Sequence, residues 1–119
     1  MQTTGLAGRS VLVVEDEPLI ALNIIQAFET AGAHVEAART LAEAKCLVDR
    51  DGLSAAVLDF GLGDSEAHAL CERLTTRNIP FVLHSGYAHA GEACHSGIVV
   101  PKPADPTALV DALVKALEA

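Results

Sequence analysis

Four short runs in this chain, Val11-Leu12-Val13-Val14, Ala55-Ala56-Val57-Leu58, Phe81-Val82-Leu83 and Ile98-Val99-Val100, are apolar at every position rather than at every second one. A strand with one wet face alternates, whereas a strand covered on both faces does not. Between the runs the period changes. Ile20, Ile24, Ala27, Phe28 and Ala31 recur at helical spacing, as do Ala67, Leu70, Cys71 and Leu74, and then Leu109, Val110, Leu113, Val114 and Leu117. A fainter strand is expected over residues 34–38. Strand and helix therefore alternate, which predicts an α/β fold: a doubly wound, five-stranded parallel sheet with helices on both faces.

Local signals agree with that alternation. Pro18 suits the first turn of a helix, and Gly32 is placed to end it. Thr40 and Glu43 have capping-box spacing, opening a helix that is expected to run to about Asp49 before an Asp51-Gly52 turn. Ser65 is expected to cap the next helix, which ends near Asn78. Gly86, Gly91 and Gly97 break residues 86–97, so the fourth helix is expected to be short or mobile. Asp105-Pro106 starts the last helix. Without repeat, linker or low-complexity tract, the chain reads as one domain over residues 10–119 behind an N-terminal tail, residues 1–9.

Composition removes several function classes. Sixteen acidic residues against eight basic ones give a net charge of −8, which opposes binding to phosphate backbones and to anionic membranes. No apolar stretch is long enough for a membrane span, and the first ten residues lack the apolar centre of a signal peptide. Cys46, Cys71 and Cys94 are far apart and form no CxxC pair, which favours buried thiols and a reducing, cytoplasmic setting.

In an open α/β sheet, ligands bind beyond the carboxyl ends of the strands. Polar residues gather at those ends. The first strand finishes at Glu15-Asp16-Glu17, the third at Asp59, the fourth at His84-Ser85-Gly86 and the fifth at Pro101-Lys102-Pro103. Clustered carboxylates repel one another unless a cation neutralises them, and oxygen donors with open positions suit Mg2+. A lysine and a hydroxyl beside them suit a tetrahedral oxyanion such as a phosphoryl group.

VLVVEDEP, LDFGLGD, HSGY and PKP, in that order and spacing, resemble the receiver domain of two-component response regulators, and the resemblance covers nearly the whole chain. It implies a flavodoxin-like (β/α)5 fold with strand order 2-1-3-4-5. Asp59 is then the nucleophile that takes a phosphoryl group from a phosphohistidine. Asp16, Asp59, Glu15 (through water) and the backbone carbonyl of Gly61 hold Mg2+. Lys102 pairs with phosphoryl oxygens, and the Lys102–Pro103 peptide is expected to be cis. Ser85 responds to the phosphorylated form. The resemblance further implies a cytoplasmic phosphorelay protein, not a conventional enzyme, whose partners are a sensor histidine kinase or phosphotransfer protein and a downstream protein target. The chain is expected to stand alone, with the face of the fifth strand and last helix as partner surface; homodimerisation stays open.

Two positions depart from the family pattern. Glu15 stands where the family usually has Asp. Val99 occupies the switch position that is often aromatic, while Tyr87 follows the Ser85-Gly86 pair as in a subgroup of single-domain receivers. Tyr87 and residues 86–97 are therefore expected to carry the conformational response. Two other functions fit part of the pattern. A haloacid-dehalogenase-like phosphohydrolase also uses an aspartate, Mg2+, a hydroxyl and a lysine, yet it needs a second aspartate where this chain has Gly61. A degenerate receiver would bind partners without phosphorylation. His84, His89, Cys94 and His95 do not have zinc-site spacing and read as loop residues.

Overall fold

The computed structural model describes residues 6–50, 52–59, 64–85, 97–101 and 105–118. Five strands are present among the described residues: β1 (Ser10–Glu15), β2 (His34–Ala38), β3 (Ala55–Asp59), β4 (Phe81–Ser85) and β5 (Ile98–Pro101). Among the described residues four helices join them: α1 (Pro18–Thr30), α2 (Leu41–Asp49), α3 (Asp64–Thr76) and α4 (Pro106–Glu118). All neighbouring strands pair in parallel, in the order β2-β1-β3-β4-β5. This is the doubly wound sheet expected from the apolar runs. The segment expected to contain a short fourth helix lies outside the described residues.

Strand alternation splits the core into two. Leu12, Val14, Ala56, Leu58 and Leu83 face α2 and α3, where they meet Ala44, Val48, Leu70 and Leu74. Val11, Val13, Ala55, Val57 and Val82 face the other way, onto Ile24, Phe28, Leu109, Val110 and Leu113. Removing a Leu, Val or Phe side chain from water is worth about 1.5–3 kcal/mol, which is why β1 and β3 can be apolar along both faces.

Helix ends follow their local chemistry. Thr40 Oγ1 accepts from the Glu43 amide at 3.1 Å. The Glu43 carboxylate reaches back one residue further than a standard capping box, accepting from the Arg39 amide at 2.8 Å. α1 has no side-chain cap and begins instead with Pro18. It stops at Gly32, whose φ of +101° is a left-handed value that disfavours a side chain, with Ala7 packed against the place a Cβ would take. Asn78 does the same work after α3, at φ 58°. Gly97 is needed for space rather than for φ, since a Cβ there would collide with the Phe81 ring.

Several expectations require correction. α3 starts at Asp64, so Ser65 lies inside its first turn rather than capping it. Cys46 is an exposed free thiol on α2, and Cys71, although fully buried, takes part in a disulfide. The expectation of buried thiols therefore fails for both. Leu6, in the segment read as a tail, is fully buried beside Phe28 and Ala31.

Candidate functional site

The carboxyl ends of the strands are built by continuing the pairing past the last apolar residue. In the β1–β3 ladder, Glu15 lies opposite Asp59. Adjacent strands run about 4.8 Å apart, so two acidic residues occupy one level of the sheet, and Asp16 follows directly after β1. In the β4–β5 ladder Ser85 lies opposite Pro101, immediately before Lys102 in sequence. β1 and β3 are neighbours, and β4 joins β3 to β5. The topology therefore brings Glu15, Asp16, Asp59 and Ser85, and the strand that leads into Lys102, to one edge of the sheet.

The described side chains there differ in exposure. Glu15 is only 3% exposed, and its Oε2 accepts from the Glu17 amide at 3.0 Å. That bond folds the carboxylate over the β1–α1 turn and occupies one of its oxygens. Asp16 is exposed and lines a depression of about 390 Å3 together with Arg39, Thr40 and Glu43. Sequence reasoning did not single out Arg39; its placement at the end of β2, on the same rim, was the available signal. His84 is 7% exposed and pairs with Val100 inside the β4–β5 ladder, so it is a strand residue rather than the loop residue expected.

Among the described side chains no group of three or more His, Cys, Asp or Glu residues is assembled as a metal site. The side chains of Asp59 and Ser85 lie outside the described part, as do Gly61, Tyr87 and Lys102 altogether, with the Lys102–Pro103 peptide, His89, Cys94 and His95. What is present fits a hard divalent cation in kind: an exposed carboxylate at Asp16, a buried one at Glu15, and an aspartate at the same strand level. Soft or nitrogen donors expected of zinc are not part of this set.

A family model, the response regulator receiver domain, matches residues 11–114. The chain belongs to the response regulator receiver family. Its receiver fold is flavodoxin-like, and the family serves two-component signalling. The phyllosphere-induced regulator PhyR of Methylorubrum extorquens is 30% identical over 114 residues, which cover 90% of this chain and 43% of that protein. This receiver thus spans less than half of that relative. A receiver domain from Methanospirillum hungatei, described as CheY-like, superposes with a TM-score of 0.78 at 25% identity, covering 92% of this chain and 94% of that one. The receiver domain of a sensor histidine kinase from Pseudomonas aeruginosa, with a magnesium ion coordinated in its active site cleft, superposes with a TM-score of 0.78 at 20% identity, covering 95% of this chain and 100% of that one. Among the described residues no helix is long and apolar enough to cross a membrane.

Proposed function

We propose that this receiver accepts a phosphoryl group on Asp59 from the phosphohistidine of a sensor kinase or phosphotransfer protein, and signals by changing its contacts with a downstream protein. The observation that carries the reading is the ladder register: Glu15 opposite Asp59, Asp16 next to it, and Ser85 opposite the residue before Lys102. An Asp59 carboxylate oxygen attacks phosphorus in line, the P–N bond breaks, and the imidazole leaves with a proton from solvent. The product is an acyl phosphate.

Asp16, Asp59, Glu15 and the Gly61 carbonyl would hold Mg2+, with Glu15 acting through water because one of its oxygens already takes the Glu17 amide. Bound there, the ion screens charge building up on the phosphoryl oxygens. Lys102 supplies a second positive charge to the same oxygens. Ser85 donates a hydrogen bond to the phosphorylated form, and Tyr87 with residues 86–97 transmits the change. The surface of β5 and α4 is the output face, and homodimerisation through it is one form that output can take.

The protein donor docks on α1. Leu19 is 75% and Leu22 49% exposed there, on the helix that begins two residues after Asp16. Such side chains gain little by facing water.

Incubation with a phosphorylated donor and Mg2+, resolved on a phosphate-affinity gel, tests the reading. The wild-type chain becomes singly phosphorylated, while Asp59→Asn and the wild type in excess chelator do not. Labelling that persists in Asp59→Asn overturns the assignment. Repeated turnover of a chromogenic phosphate ester would favour a phosphohydrolase instead, and beryllofluoride binding separates a competent receiver from a degenerate one.

A further inference from the structure

Arg39 closes β2 at the same sheet edge as Glu15 and Asp59, because β2 pairs with β1 in parallel and ends one residue earlier. Its backbone is fixed from both directions: β2 ends at Ala38, and the Arg39 amide donates to Glu43 Oε1 at 2.8 Å. The side chain is exposed and shares the 390 Å3 depression with Asp16. Among the described residues, Arg9 and Arg50 lie towards the opposite end of the sheet, and Arg73, Arg77 and Lys115 near or beyond the last turns of α3 and α4, also towards that end. Lys45 sits a turn into α2. Arg39 is thus the described cation set at the mouth itself.

That placement matters because the mouth is otherwise acidic. Glu15, Asp16, Glu17, Glu43 and Asp59 all belong to it or border it, in a chain of net charge −8. An incoming phosphoryl donor is an anion and meets that field before it meets any site group. One exposed guanidinium on the approach reduces the repulsion and pairs well with phosphoryl oxygens. The same charge must act in the opposite sense on a cation bound at Asp16. We infer that Arg39 is a specificity-determining residue that draws anionic phosphoryl donors to the Asp16–Asp59 site while weakening its hold on Mg2+.

This inference rests on the proposed function in both halves, the phosphoryl half on Asp59 as acceptor and the metal half on Asp16 and Asp59 as Mg2+ ligands. The test uses the full chain, acetyl phosphate as a small donor, and the variants Arg39→Gln and Arg39→Glu. Both keep the backbone amide that Glu43 accepts, so α2 keeps its start. At low salt the acetyl phosphate concentration for half-maximal labelling rises about 3-fold for Arg39→Gln and about 10-fold for Arg39→Glu, and both differences shrink to under about 2-fold at 0.5 M salt, where the screening length is only a few ångströms. Mg2+ titration without donor, followed by the Asp16 and Glu17 amide resonances, shows tighter binding in the same order. Opposite movements of the two affinities are what a misfolded or loosened rim cannot produce. Weaker binding of both, a salt-independent effect, or no change in either overturns the role of Arg39. A wild-type chain that binds Mg2+ but takes no phosphoryl group overturns the proposed phospho-acceptor role, and the order of Mg2+ affinities still decides the inference about Arg39.

Discussion

α1 and α2 perform the same topological task, each carrying the chain across the sheet between parallel strands, yet they are held by different forces. α1 has no side-chain cap and depends on burial: Ile24 and Phe28 are lost to solvent against β1 and α4. α2 is shorter, buries only Ala44 and Val48 fully, and leans on polar bonds. Thr40 and Glu43 close its start, and near its end Asp49 takes both Arg73 Nε and Nη2, at 2.7 and 2.9 Å. Their outer surfaces differ too. α2 shows Glu43, Lys45 and Cys46 to water, whereas α1 shows Leu19, Ile20 and Leu22. The lesson is that one crossover helix is optimised for the fold alone and the other keeps an apolar surface that folding does not use.

Mutations on the two helices should separate accordingly. Phe28→Ala empties a fully buried site on α1 and is expected to cost about 3–5 kcal/mol, read as the urea midpoint shift at unchanged slope. Thr40→Ala removes the α2 cap and should cost about 1 kcal/mol; a loss as large as that of Phe28→Ala would erase the contrast. The double substitution Leu19→Ser, Leu22→Ser should change stability by less than about 0.5 kcal/mol while slowing phosphotransfer from a protein donor several-fold and leaving acetyl phosphate labelling unchanged. Equal slowing with both donors would remove α1 from partner docking.

The smallest effect is expected at the ion pair. Hydrogen bonding to Arg73 holds the Asp49 carboxyl below its usual value, and the same contact raises Arg73. A lowered folded-state value means the stabilisation is present above the unfolded carboxylate value and lost as pH falls through the folded one. Both groups are solvated, so Arg73→Ala should lower Tm at pH 7 by no more than about 4 °C. The difference from wild type should vanish in acid, below the folded-state carboxylate value. A gap that persists there would mean that the Arg73 stem, not its charge, supports α2 against α3.

The sheet was legible in the sequence because β1, β3 and β4 are apolar on both faces and buried there, as a two-sided parallel arrangement requires. β5, read in the same way, is an edge strand that leaves Ile98 37% exposed. Even the fainter β2 emerged with the bounds expected of it. The strand ends were less legible. Reading by hydrophobicity stops at Val14, Leu58, Leu83 and Val100, whereas pairing continues to Glu15, Asp59, Ser85 and Pro101. The ladder is made by backbone groups, which are indifferent to side-chain polarity where the core gives way to solvent. Leu6 escaped because a single apolar residue among polar neighbours has no periodicity to betray it. Ser65 misled because a hydroxyl near a helix start is common on either side of the boundary. Arg39 carried no motif, and only the parallel pairing of β2 with β1 brings it to the rim.

The level shared by Glu15 and Asp59 sets fold and signal against each other. The register sets Glu15 opposite Asp59, and like charges directly opposite on adjacent strands are destabilising. On the proposed function, a variant carrying amides at these places would make the firmer domain and the mute one. Selection for thermal hardiness alone would therefore be expected to erode this corner of the sheet first.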